Sequence, residues 1–422
     1  MKVGILSLGC KVNMYESEFV TNLLSKAGYE ISSFNDVCDI YIINTCTVTN
    51  TSDIKSRKMI RKAIKKNPDA IVIAMGCFIE ANKDVDIPGL DIIIGNKDKS
   101  KIVEIIEEYI ANKNTIKRLY NDKKYLFEDM YIDNFPGRTR AFVKIQDGCE
   151  NFCTYCIIPF VRGKCRSKEE SNVIEEVKAL VNNGYKEVVL TGIHTGSYGV
   201  DLDTSFADLL EKLVKIKGLE RLRISSIETT ELNEDVLKIL RNSSVIVDHL
   251  HIPIQSGSNE ILKLMNRKYD LDFFKDKINE IRSIRPNISI TTDIIVGFPS
   301  ETDELFEESI KTVKEINFSK LHVFPYSERE GTKSMDIPNH IRGDIKKSRA
   351  RKMLEVSKEL EINYMNKYLN KEVEILVEEY KDGYSFGHTG NYLYVKVNKK
   401  LKHNDLVKVK ITSIDYPYCI GE

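Results

Sequence analysis

The sequence predicts an α/β chain in three parts: an open parallel sheet at the N-terminus, a partial barrel of six β/α units in the centre, and a small β-barrel at the C-terminus. Three observations carry this. Over residues 1–120 short apolar runs alternate with longer helical patterns, and the first three runs each stop at a cysteine. Over residues 138–368 the same alternation restarts and repeats six times. From about Glu372 the apolar period changes from 3.6 to 2, as in short strands joined by turns. A chain of 422 residues is long enough for two or three domains that each bury a core.

In the N-terminal part the strand-like runs are Val3 to Leu8, Ile40 to Asn44, Ala70 to Met75 and Leu90 to Ile94. Gly9-Cys10, Thr45-Cys46 and Gly76-Cys77 follow the first three. The carboxyl ends of parallel strands share one edge of the sheet, and that edge is where ligands bind. Cys10, Cys46 and Cys77 are therefore expected to meet and to hold metal, the alternative being three free cysteines packed as small apolar groups. Cys38 precedes a strand, on the opposite edge, and is read as packing. The stretch from Lys55 to Lys66 places Met59, Ile60, Ala63 and Ile64 at helical spacing, with basic residues on the other face. That face is either simply solvated or a surface for phosphate.

A linker over residues 121–137, with Pro136-Gly137 near its end, leads to strands at Ala141 to Gln146, Glu187 to Thr191, Leu222 to Ser225, His249 to Ile254, Ile288 to Ile294 and Lys320 to Phe324. Ser167 to Glu170 reads as a capping box opening the next helix, and Ser205 as the cap of another. Directly after the first strand, Cys149, Cys153 and Cys156 form a CxxxCxxC loop. Three thiolates can hold three irons of a 4Fe-4S cluster, and no fourth cysteine follows at ferredoxin spacing, so one iron stays open. A zinc knuckle is the alternative, but after Cys156 only Cys165 precedes His194, which is poor zinc spacing. Cys165 is given no cluster role, and His194 and His251 are read as loop or sheet residues. Arg162 and Arg166 are expected to face substrate phosphate.

Residues 370–422 read as strands Val373 to Val377, Tyr392 to Val397 and Leu406 to Ile414, separated by Asp382-Gly383 and Gly390-Asn391. Lys396, Lys399, Lys400 and Lys402 crowd beside aromatic residues, which suits stacking on single-stranded RNA. Arg342 to Lys352 forms a second basic run on an expected helix. Lys+Arg and Asp+Glu both number 63, so any nucleic-acid surface has to be local. Nine unevenly spaced cysteines suit reduced thiols and a cytoplasmic setting better than a disulfide framework. The apolar run before Cys10 is too short for a signal peptide, and no stretch approaches a membrane span.

The CxxxCxxC loop, with Tyr155 before its last cysteine, resembles the radical S-adenosylmethionine superfamily. Leu8-Gly9-Cys10-Lys11-Val12-Asn13, Asn44-Thr45-Cys46-Thr47-Val48 and Gly76-Cys77 resemble the methylthiotransferase family within it, and Phe386 to Tyr392 resembles a TRAM domain. The resemblance implies two 4Fe-4S clusters and S-adenosylmethionine, one cluster on each cysteine triad. It implies contacts to the cofactor from Gly192, Ser226, Gln255, Val296 and Gly297, with Tyr155 and Val296-Gly297 bracketing the adenine. The barrel would generate a carbon radical, the tool for an inert C–H bond that no side-chain base can deprotonate, so no side chain is expected to be the principal catalyst. The LGCKVN phrase is most similar to the branch acting on N6-threonylcarbamoyladenosine beside the tRNA anticodon; sister branches act on isopentenyladenosine or on a ribosomal-protein aspartate. The implied partners are a tRNA anticodon stem-loop and a flavodoxin- or ferredoxin-like reductant, with the sulfur donor open. A non-catalytic RNA-binding protein with zinc at one cysteine set is the alternative of a different class.

Overall fold

In the computed structural model, which describes residues 1–120 and 126–422, the N-terminal runs form a single parallel sheet. Its strands are β1 (Lys2–Ser7), β2 (Glu30–Ser32), β3 (Ile40–Thr45), β4 (Ile71–Gly76), β5 (Ile92–Ile94) and β6 (Ile116–Arg118), in the order β2-β1-β3-β4-β5-β6. Every residue of β3 and β4 is buried, because helices cover both faces of a parallel sheet. The three-residue edge strands β2 and β6 escape the sequence pattern because they are short and mostly polar. The helix Lys11–Lys26 packs Val20 and Leu24 on this sheet and turns Tyr15 and Phe19 into the core of the central domain. Two domains thus share one helix.

The central strands are β7 (Arg140–Lys144), β10 (Glu187–Thr191), β11 (Arg221–Ile224), β12 (His249–His251), β13 (Ser289–Val296) and β14 (Lys320–Pro325), with the short pair β8 (Gln146–Asp147) and β9 (Arg166–Ser167) between the first two. They pair in parallel as two three-stranded sheets, β7-β10-β11 and β12-β13-β14, and an isolated parallel bridge from Leu222 to Ile246 ties β11 to the chain just ahead of β12. All six expected strands are present, and helices lie between them. The expected capping box at Ser167 does not form. Ser167 pairs with Gln146 in β8–β9 and its hydroxyl accepts from the amide of Gly199, while the helix Glu170–Asn182 begins after Glu169 without a side-chain cap. Ser205 does cap its helix, accepting from the amide of Asp208. Within the expected linker, Asn121 to Tyr125 lie outside the described residues; beyond them Met130, Ile132 and Phe135 are buried in the central core, so this segment is anchored.

The last five strands, β15 (Glu372–Lys381), β16 (Tyr384–Thr389), β17 (Tyr394–Val397), β18 (Leu406–Asp415) and β19 (Tyr418–Gly421), pair in a closed ring β15-β16-β17-β19-β18. Asp382 and Gly383, both at positive φ, make the tight turn between β15 and β16. This module sits on the amino ends of the central strands. Arg221 donates to the carbonyls of His388 and Glu374, Arg140 pairs with Glu378, and the amide of Asn404 reaches the Gly184 carbonyl. Among the described residues no helix is long and apolar enough to cross a membrane.

The joint between the N-terminal and central domains is a buried ion network. Glu16, fully buried, receives Arg162 at 3.0 Å and Lys144 at 2.9 Å and also bonds Lys99. Burial pushes the Glu16 carboxyl up, but Arg162, Lys144 and Lys99 together hold it well below the usual carboxylate range. Glu16→Ala leaves three cations without this partner, and we expect a loss of about 3–5 kcal/mol of stability in urea denaturation. Since the folded-state affinity for a proton is depressed, the stabilisation from Glu16 is complete above about pH 4.5 and fades as pH falls below it, a dependence that Glu16→Gln should weaken.

Candidate functional site

Three adjacent strands of the N-terminal sheet, β1, β3 and β4, each deliver a cysteine to the carboxyl edge. Cys10 precedes the helix Lys11–Lys26, Cys46 follows Thr45, and Cys77 opens the helix Cys77–Ala81. Gly9, at φ +99°, lets the chain pass so close to Cys46 that an added Cβ would lie 2.8 Å from its Sγ. Asn13 ties the edge together by donating to the carbonyls of Leu8 and Thr45 at 2.8 and 2.9 Å. Its Oδ1 accepts from Arg162 at 2.7 Å and lies 3.9 Å from the Cys10 thiol. The three thiols are close enough for their charges to interact, and burial pushes the Cys46 and Cys77 thiols up. Bound iron or another cation would reverse that penalty. Cys38 is buried at the opposite edge, against the carbonyls of Ser33 and Asp36.

The second triad lies at the carboxyl end of β7, on the loop from Cys149 to Cys156. Loop residues are held from several sides. Thr154 donates to the Met265 and Leu264 carbonyls, Asn266 donates to the Phe152 carbonyl, and the Cys156 amide bonds Cys153. Arg267, which pairs with Glu228, donates to the Cys153 sulfur at 3.2 Å. Burial pushes the Cys149 and Cys156 thiols up to about 12. His194 is engaged by Asn151, Ser197 and Glu231, so its ring is already partnered. Among the described residues no three His, Cys, Asp or Glu side chains converge on a point suited to one metal ion. Cluster ligation, in which each thiol takes a different iron, makes no such demand.

One short helix joins the triads. Ile158–Arg162 follows Cys156 and ends with Arg162, whose Nε donates to the Cys77 sulfur at 3.2 Å, while Nη1 bonds Glu16 and Asp147 at 3.0 Å. The expectation that Arg162 and Arg166 face phosphate is corrected here: Arg162 is 0% and Arg166 6% exposed, and both bond carboxylates, carbonyls or sulfur inside the protein. Neither Arg162 nor Arg267 could be assigned from sequence, because their partners lie 85 and 114 residues away. The only local signal was the run of buried polar residues Asn13, Glu16 and Ser17 on one helix.

The other expected cofactor residues stand around the same edge. Gly192 follows β10 and is crowded by the Gln146 side chain, whose Oε1 accepts from the His194 backbone amide. Ser226 follows β11 and is half-buried, and Gln255, at φ +65°, bridges to Ile294 of β13. Val296 ends β13 buried, and the Gly297 amide donates to Glu301 at 2.6 Å with Lys346 lying over its Cα. Tyr155 packs edge-on to Phe298, at 6.4 Å between ring centres. On the C-terminal module, Lys399, Lys400 and Lys402 are exposed, and Lys396 lies 4.0 Å over the Tyr384 ring. Lys396 borders a continuous outer face of Phe386, His388, Tyr394 and Tyr418, with His388 stacked on Tyr394 at 4.5 Å. The basic run on helix Gly343–Asn366 is less available, since Arg349, Lys346 and Lys352 are paired with Glu301, Glu328 and Glu307.

Comparison with known proteins bears on both cysteine sites. Residues 143–313 match the radical SAM superfamily, and residues 2–95 match an uncharacterized protein family, UPF0004. The threonylcarbamoyladenosine tRNA methylthiotransferase MtaB of Bacillus subtilis is 44% identical, across 100% of this chain and 96% of its own length. The Aquifex aeolicus protein of the same name is 38% identical over 97% of this chain and 100% of its own. A tRNA-2-methylthio-N(6)-dimethylallyladenosine synthase of Clostridium tetani is 37% identical over 88% and 84%. Among solved structures, the radical S-adenosylmethionine methyltransferase TsrM of Kitasatospora setae aligns with a TM-score of 0.54 over 77% of this chain and 74% of that one, at 13% identity, a likeness of fold alone. The chain therefore belongs to the radical S-adenosylmethionine methylthiotransferase family, enzymes that use S-adenosylmethionine and iron–sulfur chemistry.

Proposed function

We propose that this enzyme converts N6-threonylcarbamoyladenosine beside the tRNA anticodon to its 2-methylthio form. The observation that carries the reading is the meeting of two thiol triads across the helix Ile158–Arg162, in a chain similar along its whole length to relatives named for that substrate. Cys149, Cys153 and Cys156 would hold one 4Fe-4S cluster and Cys10, Cys46 and Cys77 a second, each with three thiols and so one iron open. When bound, S-adenosylmethionine and the clusters supply the carbon radical that takes hydrogen from the adenine ring and the sulfur and methyl that replace it.

The chain's own residues position this chemistry. Arg267 and Arg162 each donate to a cysteine sulfur, which would fix the direction of each ligand, and the Arg162 charge offsets part of the burial penalty on the Cys77 thiolate. Gly192, Ser226, Gln255, Val296 and Gly297 stand at strand ends of the same central domain as the Cys149 to Cys156 loop, where they would meet S-adenosylmethionine, with Tyr155 on the loop itself. The central parallel strands form the open barrel, and the closed C-terminal ring is a TRAM module. Its aromatic face, with Lys396, Lys399, Lys400 and Lys402, would hold the tRNA by stacking and phosphate contacts. A flavodoxin- or ferredoxin-like protein in the cytoplasm would supply electrons.

Mass spectrometry of tRNA nucleosides from a strain lacking this protein should show loss of 2-methylthio-threonylcarbamoyladenosine; loss of the isopentenyl counterpart instead would refute the substrate. Protein purified without oxygen should carry about eight irons with matching acid-labile sulfide. The triple change of Cys10, Cys46 and Cys77 to Ala should keep about half the iron and abolish methylthio transfer. For the RNA face, Lys396→Ala with Lys400→Ala should weaken tRNA binding and lower the slope of log affinity against log salt by about 0.7–0.9 for each phosphate no longer neutralised, as measured by titration at several salt concentrations.

A further inference from the structure

Side chains alternate along the central strands, so those that do not face the helices line the inside of the arc. In register, Asp293 stands beside His322 and His251 beside Thr291. The Thr291 hydroxyl bonds His249 at 3.1 Å and His251 at 2.9 Å, and the His251 ring lies 5.4 Å from that of His322. Exposure falls with depth, from 45% at Phe324 through 31% at the Asp293 side chain and 14% at His251 to 1% at Arg223. The interior narrows from a mouth at the carboxyl ends of the strands to a floor at Arg223, midway along β11.

The floor is where hydrogen-bonding groups are left unpaired. Arg223 donates through Nε to Glu187 at 2.7 Å, and its guanidinium lies 4.3 Å over the ring of Tyr392, which rises from the C-terminal module and takes a bond from Arg140 at 2.9 Å. Tyr392 closes the lower end. Both terminal nitrogens of Arg223 and Nδ1 of His249 are buried with no hydrogen-bond partner. Lys11, the residue after Cys10, is half-buried within reach of the same charges. It makes no hydrogen bond or ion pair among the described residues, and the charges of Arg223, Arg140 and Asp293 and the ring of Tyr392 all bear on it.

Arg223 uses only Nε on Glu187, and its two buried terminal nitrogens beside a Lys11 that makes no ion pair are costly to leave unmatched. We infer that Lys11 and Arg223 form an anion subsite on the funnel floor that takes the carboxylate of an adenine N6 substituent and so sets the preference for the threonylcarbamoyl group over a neutral alkyl one. The orphaned Nδ1 of His249 beside them suits a hydroxyl of the same substituent. An isopentenyl group placed here would desolvate both cations and give neither a partner, which is discrimination by an unmet bond. This inference rests on the proposed function, and it makes Lys11, one residue from a cluster cysteine, a specificity residue.

The test uses the full-length, iron-loaded protein and two anticodon stem-loops of the same sequence, one with the free threonylcarbamoyl carboxylate and one with its methyl ester. Wild type should bind the carboxylate form about 10- to 100-fold more tightly. Lys11→Met and Arg223→Gln should each bring that preference below about threefold, with affinity for the ester and iron content unchanged. A preference that persists in folded Lys11→Met overturns the subsite, whatever becomes of Arg223→Gln. Equal binding of both stem-loops by a wild type that still methylthiolates the threonylcarbamoyl RNA overturns the subsite and leaves the function standing. Modification of isopentenyl RNA alone would overturn both.

Discussion

The architecture depends on the bonds made by one buried guanidinium. Arg162 carries its charge where water cannot reach it, and three groups from two domains make that tolerable: Glu16 and Asn13 on the N-terminal helix and Asp147 beside β7. A charge taken out of water has to be matched on most sides. The matching here fixes how the two domains meet. The same side chain also bonds the Cys77 sulfur, so the geometry of one thiol is set by the interface that unites the domains. Structural cohesion and the alignment of the two cysteine sites share one cause.

Around that joint, the convergence of the thiols follows from parallel strands. Crossover helices return each strand in the same direction, so residues far apart in sequence reach a common edge. Cys10, Cys46 and Cys77 use β1, β3 and β4, which are neighbours in the sheet although β2 intervenes in sequence. The central strands repeat the arrangement, with the loop Cys149 to Cys156, Gly192, Ser226 and Val296-Gly297 at successive strand ends. Glycines at Gly9 and Gly76, both at positive φ, let the chain turn immediately beside a sulfur.

Much of this was legible in the sequence, because a buried parallel strand is an apolar run and its end is marked by a change to glycine, cysteine or asparagine. That is why β1, β3, β4 and the wholly apolar β5, together with all six central strands, were readable, whereas β2 and β6, as short as β5 but partly polar, were not. The strand β16 was missed because Tyr384 to Thr389 mixes aromatic, glycine and polar residues on a curved ring where both faces are in use. Ser167 looked like a cap by spacing, but pairing with Gln146 satisfied its backbone first. Arg162 and Arg166 looked like surface residues because nothing near them in sequence says that Glu16 and Asp147 will bury them. Electrostatic partners distant in sequence leave no periodic trace. Apolar faces do.

The seat of the C-terminal ring on the amino ends of the central strands has a consequence of scale. The cysteine loop lies at the other end of those strands, about 17 Å away for five residues at 3.3 Å each. An RNA held on the outer ring, as proposed, would have to pass around the flank of the molecule before one of its bases could turn inward, and the spacing between ring and loop would then act as a caliper on the span and curvature of its folded shape.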